Sequence, residues 1–186
     1  MRELLEIRWH GRGGQGIVTT SQLLVAATFY DGKYAIAIPQ FGPERRGAPV
    51  VAYNRISDKP VRARSSVESP DIVVVVDPSL ATVIDVTEGL KSGGLLLLNG
   101  TPPESLAKKE FRIAYVRATD IALKHGLVLA GLPLAGVPML GALARATGIV
   151  SLGSLIRAVR ERWSGSIAEK NAAAIEEGYE EVAFAR

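Results

Sequence analysis

The five residues Ile72–Val76 are apolar at every position, and the run stops at Asp77-Pro78. A strand with one wet face alternates apolar and polar residues. An unbroken β-branched run instead predicts a strand covered on both faces, as in the middle of a parallel sheet. Leu95–Leu98 repeats the pattern and ends at Asn99-Gly100. Two such strands need apolar layers above and below them, and 186 residues suffice for one core of that kind. The residues for it are present: 47% are apolar and 22% charged, which excludes an intrinsically disordered chain. With aromatics at only 6%, that core must be built from Leu, Val, Ile and Ala.

The other elements follow from periodicity and punctuation. Leu4–Trp9 reads as a first strand, Gly11–Gly16 as a turn, and Ile17–Tyr30 as a helix ended near Gly32. Tyr34–Ile38 is a short strand stopped by Pro39. Val50–Ile56 and Val61–Arg64, joined by Ser57-Asp58-Lys59-Pro60, read as a hairpin. Val83–Leu90 is a candidate helix closed by Ser92-Gly93-Gly94, and Arg112–Val116 a last strand. Helical patterns dominate from Thr119, notably Leu152–Trp163 and Ile167–Phe184. The expected fold is one α/β domain over residues 1–186. It has three layers (α/β/α), a mixed, mostly parallel sheet and a helical C-terminal region.

Several functions are excluded by what the chain lacks. Without cysteine it has no disulfide, thiolate metal site, iron–sulfur ligand or cysteine nucleophile. His10 and His125 are too few for a histidine-rich metal site. No apolar run approaches the roughly 20 residues of a spanning helix, and Arg2, Glu3, Glu6 and Arg8 interrupt any signal-peptide core. A cytoplasmic protein with no membrane partner is expected. The net charge of +3 argues against a nucleic-acid partner.

His10-Gly11-Arg12-Gly13-Gly14-Gln15-Gly16 lies between a predicted strand and a predicted helix, and Gly11, Gly13 and Gly16 satisfy G-x-G-x-x-G. Such a turn brings backbone N–H groups and a helix N-terminus toward an anion. The other reading is a tight crossover that needs glycine for packing alone. A dinucleotide site also wants a carboxylate after the second strand, where Ile38-Pro39-Gln40 has none and Asp31 falls too early. Phe41–Arg64 carries Arg45, Arg46, Arg55, Lys59, Arg62 and Arg64 against Glu44 and Asp58, a concentration of positive charge. Arg45 and Arg46, set among glycines and prolines, read as ligand or partner contacts. Arg55, Lys59, Arg62 and Arg64 read as a solvated charged face.

Other residues carry weaker signals. His10 is expected to hydrogen-bond its neighbouring loop, and His125 to end a helix. Asp77 suits a catalytic carboxylate or, with Pro78-Ser79, an N-cap. Met139-Leu140-Gly141-Ala142 suits close helix packing or a subunit contact. No Ser–His–Asp set, paired catalytic carboxylates or Walker lysine is found. On residues alone, a free-standing Rossmann-like dehydrogenase or a small interaction module stays open.

The ordered combination of Ile7–Gly16, Phe41-Gly42-Pro43-Glu44-Arg45-Arg46-Gly47-Ala48-Pro49 and Ser69–Asp77, with Pro138–Ala142 and Asn171, resembles the gamma subunits of 2-oxoacid:ferredoxin oxidoreductases. The pyruvate and branched-chain members are the most similar. The resemblance implies a complex that decarboxylates a 2-oxoacid on thiamine diphosphate with Mg2+. It then passes electrons through iron–sulfur clusters to ferredoxin and releases acyl-CoA. It places the thiamine site on alpha and beta subunits and the clusters on delta and beta. It leaves this chain, inactive alone and holding no cofactor itself, on the CoA side of the site and in assembly. Arg12, Gly13, Gly14, Gln15, Gly16, Arg45 and Arg46 are then the expected CoA-facing residues. One position departs: many members carry Asn where this chain has Gly136.

Overall fold

In the computed structural model, which describes residues 4–40, 47–106 and 110–185, the two apolar runs are neighbouring central strands. The elements in chain order are β1 (Leu5–Arg12), α1 (Ile17–Tyr30), β2 (Tyr34–Gln40), β3 (Pro49–Ser57), β4 (Ile72–Val75), β5 (Leu95–Asn99), β6 (Arg112–Val116), α2 (Ala118–Lys124), β7 (Val128–Leu129), β8 (Leu132–Pro133), α3 (Gly136–Thr147), α4 (Leu152–Arg162), α5 (Gly165–Glu181) and β9 (Ala183–Phe184). Short 3-10 turns at Pro78–Thr82 and Glu104–Leu106 precede and follow β5.

The main sheet has the order β2-β3-β1-β4-β5-β6-β9. β1, β4, β5 and β6 pair in parallel, β3 runs against both β1 and β2, and β9 runs against β6. The sheet is mixed, as expected, but the antiparallel part has another origin. The expected hairpin of Val50–Ile56 with Val61–Arg64 does not form. Both edges of β3 are already taken, by β1 and β2, so a third partner has no edge to join. Three carbonyls of this segment instead turn to Arg55, whose guanidinium donates to Ala63 O (2.9 Å), Ser65 O (2.8 Å) and Ser66 O (3.2 Å). Pro39 does not stop β2; it pairs with Ala52 in an edge strand, where a missing N–H is tolerated.

Alternation along the strands divides the core in two. Ile7, Trp9, Ile72, Val74, Leu95 and Leu97 face one side, which α1–α5 cover with Leu24, Ile121, Leu140, Leu155 and Ile175. Val73, Val75, Leu96 and Leu98 face the other, with Leu80, Val86 and Ile113. The fold is the expected three-layer α/β arrangement, but chain around residues 78–90 supplies the third layer near β4 as 3-10 turn and loop. The expected helix over Val83–Leu90 is absent because its groups are spent elsewhere. Val86 O and Glu88 O accept from Arg8, and the Asp85 carboxylate accepts from Thr87 N. The last helical pattern also ends early, and Ala183–Phe184 leave α5 to form β9.

Met139–Ala142 is buried in α3, so of its two readings the structure takes close helix packing. A Cβ on Gly141 would lie 1.9 Å from Ile175 O, and one on Gly178 2.1 Å from Pro138 O. α3 and α5 therefore touch backbone to backbone. A Cβ on Gly136 would meet Thr20 Oγ1 at 2.5 Å, so a side chain at the departing position needs α1 to yield.

Candidate functional site

The carboxyl ends of β1, β4, β5 and β6 share one rim. β1 leads through α1 toward β2 on one flank, whereas β4 leads to β5 on the other, so the connections diverge between β1 and β4. In open α/β sheets ligands bind at such a switch point. Here it is flanked by the glycine turn after β1 and by Asp77-Pro78-Ser79 after β4.

Side chains join the two loops. Arg12 Nε lies 3.3 Å from Asp77 Oδ2, and Gln15 Nε2 donates to the same oxygen at 2.8 Å. Asp77 Oδ1 accepts from Ser79 N at 3.0 Å, the N-cap bond of the 3-10 turn, and from Ser79 Oγ at 2.5 Å. Arg12 also donates to Ser79 Oγ (2.9 Å) and Gly47 O (3.0 Å). The β1–β3 ladder runs on past its ends through Gly13 N to Ala48 O and Gly47 N to Gly13 O. The rim thus brings Arg12, Gly13, Gly14, Gln15 and Gly16 together with Asp77 and Ser79. Arg45 and Arg46 lie outside the described residues.

The glycines have packing reasons of their own. A Cβ on Gly11 would meet Ile17 Cδ1 at 2.4 Å, and Gly16 caps α1 at φ 77°, a left-handed conformation that L side chains resist. Three turn amides are used within the molecule: Arg12 N by Gln15 Oε1 (2.7 Å), Gly13 N by Ala48 O and Gln15 N by Arg12 O. The positive group turned to this rim is therefore Arg12, more than the backbone.

Arg8, His10 and Arg12 alternate along the face of β1 turned away from Trp9. His10 is buried and does not bond the neighbouring loop; its Nε2 accepts from Arg8 Nε at 3.0 Å. Burial, with the Arg8 charge, lowers its pKa to about 4, and burial also lowers that of Arg8. Arg55 is no solvated arginine: it is buried and paired with Glu6 Oε1 at 2.9 Å. Asp31 is committed elsewhere, accepting from Ser151 N, Ser151 Oγ and Ser154 Oγ at the start of α4. His125 ends α2 as expected and meets Glu177 Oε2 at 2.7 Å.

Sequence reasoning missed Ser79 and Gly47 as partners of Arg12, and it left Asp77 between two roles. The signal for Asp77 was present in Asp-Pro-Ser directly after a buried strand. Nothing local in the sequence links position 12 to position 77. Among the described residues no three His, Asp or Glu side chains group as a metal site.

Fold and rim define an open α/β domain with a mixed, mostly parallel sheet and an arginine-bearing switch point. Residues 6–181 match the model of the family described as pyruvate ferredoxin/flavodoxin oxidoreductase. The chain is 49% identical over 181 residues to the "Pyruvate/ketoisovalerate oxidoreductases common subunit gamma" of Thermococcus kodakarensis, covering 95% of this chain and 96% of that one. It is 47% identical over 179 residues to the "Pyruvate synthase subunit PorC" of Methanothermobacter marburgensis, covering 96% and 98%. Among solved structures it is similar to the pyruvate oxidoreductase subunit PORC of Thermotoga maritima, with a TM-score of 0.84, 38% identity and full coverage of both chains. The chain belongs to the pyruvate ferredoxin/flavodoxin oxidoreductase family and is of its gamma-subunit kind.

Proposed function

We propose that the chain works as the gamma subunit of a cytoplasmic pyruvate synthase, beside alpha, beta and delta chains, and that its β1/β4 rim meets CoA. Oxidative decarboxylation of the 2-oxoacid and electron transfer to ferredoxin then run on the other subunits. The residues of this chain do not fit the redox groups: it has no cysteine to ligate a cluster. Nor do three His, Asp or Glu side chains gather as a metal site among the described residues. No chemical step is routed through this chain.

Arg12 at the switch point is the observation that carries the CoA reading. A guanidinium recognises phosphate oxygens by paired N–H donors, and CoA carries several phosphates. Gly47, the first described residue after Arg46, accepts from Arg12 on this rim. No helix among the described residues is long and apolar enough to cross a membrane.

The test is a native pull-down under oxygen-free conditions, with the eluate assayed for CoA-dependent, viologen-reducing oxidation of several 2-oxoacids. Cysteine-rich and thiamine-binding chains that co-purify with pyruvate activity support the subunit reading; a lone, inactive chain rejects it. In the assembled enzyme Arg45→Ala and Arg46→Ala should each raise the KM for CoA about tenfold, as loss of one charge-assisted contact costs about 1.5 kcal/mol or more. Unchanged CoA kinetics with intact assembly would remove these arginines from the CoA site.

A further inference from the structure

Asp77 receives more than a turn cap needs. Ser79 N alone caps the 3-10 turn, and Asn or Ser serves that bond as well as Asp. Yet a carboxylate stands there, taking Gln15 Nε2 at 2.8 Å and facing Arg12 Nε at 3.3 Å. These are the groups an incoming phosphate would use. The pair is reachable, with the Arg12 side chain 30% exposed and that of Asp77 14%. Arg12 is also anchored without Asp77, through Gly47 O and Ser79 Oγ.

We propose that Asp77 is a resident competitor at this switch point, holding Arg12 and Gln15 until the phosphate of a ligand takes its place. Its carboxylate partly neutralises the charge the ligand needs, so Asp77 sets how much CoA the enzyme requires. This rests on the reading that the rim meets CoA. Asp77 touches no reacting atom; it is a positioning residue acting through Arg12.

The experiment compares Asp77→Asn, Asp77→Ser, Arg12→Gln and the double variants in the assembled enzyme, measuring KM for CoA, kcat and melting temperature. Both Asp77 variants should lower KM for CoA by about two- to fivefold, the worth of a partly exposed ion pair, with the change in KM and not in kcat. In the Arg12→Gln background the same substitutions should lower KM by clearly less, since only the hold on Gln15 remains to be released. Asp77→Ser guards against loss of the turn, because serine keeps the cap. If Arg12→Gln raises KM but neither Asp77 variant lowers it, the competitor role is overturned and the CoA reading stands. A shift in melting temperature without a shift in KM overturns the competitor role in the same way, leaving Asp77 a cap alone. If Arg12→Gln leaves KM unchanged in an assembled enzyme, the CoA reading of this rim falls and takes the competitor with it.

Discussion

His10 accepts the Arg8 N–H at Nε2, so the proton of its neutral ring sits on Nδ1, a buried atom with no partner among the described residues. Charging the ring would place two cations 3.0 Å apart beneath the loop that Arg8 ties down through Val86 O and Glu88 O. The groups facing the pair are Tyr53, Glu88 and Asp85 around Arg8, and Arg8 beside His10. The folded pKa is about 4 against an ordinary 6.5. Between those values the unfolded chain binds the proton and the folded chain does not. Stability is therefore unaffected above pH 6.5, falls as pH drops toward 4 and levels off below it. The loss from this group is about 3 kcal/mol. Urea unfolding of the full chain at pH 7 and pH 4.5 should show it, and His10→Gln, which keeps an acceptor for Arg8 without titrating, should flatten that part of the profile. An unchanged slope in His10→Gln would assign the acid sensitivity to other groups.

At the scale of elements, the α3–α5 contact is the tightest in the helical layer. Gly141 stands against Ile175 O and Tyr179 N, and Gly178 against the backbone of Pro138. Alanine normally favours a helix over glycine by about 1 kcal/mol. At Gly141 the added methyl meets backbone, which cannot rotate away, so the helices must part and the core facing β5 and β6 loosens. Gly141→Ala should destabilise by about 2–3 kcal/mol net. Gly153 in α4 is the control, since a Cβ there meets nothing within 4 Å; Gly153→Ala should be neutral or stabilising by up to about 1 kcal/mol. Denaturant midpoints of the two variants check the contrast, and equal effects would mean that α3 and α5 adjust freely.

For the whole molecule, topology decides which loops meet. The order β3-β1-β4 puts the turn at residues 12–16 beside the turn at residues 77–79, a juxtaposition that 60-odd intervening residues hide. The same topology bears on the dehydrogenase alternative. Asp31, the acid nearest in sequence to the place a ribose-binding carboxylate would take, is already occupied by Ser151 and Ser154 at the start of α4. NAD(H) at millimolar concentration should therefore leave the melting temperature of the chain unchanged, whereas a bound dinucleotide would raise it by mass action.

Much of the fold was legible because local signals agreed. Unbroken apolar runs marked β4 and β5, helical spacing marked α1, α4 and α5, and the glycine turn lay between the strand and helix it predicts. The family could also be read from ordered motifs, and the similarity to known gamma subunits bears it out. The elements read wrongly were those whose backbone groups are claimed from afar. Arg55 takes the carbonyls of residues 63, 65 and 66, Arg8 takes those of residues 86 and 88, and the filled edges of β3 leave a hairpin no place. The sequence by itself determined which segments must be buried, because burial follows from the local run of apolar side chains. Only the tertiary structure decided what Arg8, Arg12, Arg55 and Asp77 bind, because a charged side chain takes its partners from whatever donors and acceptors the sheet order brings within reach.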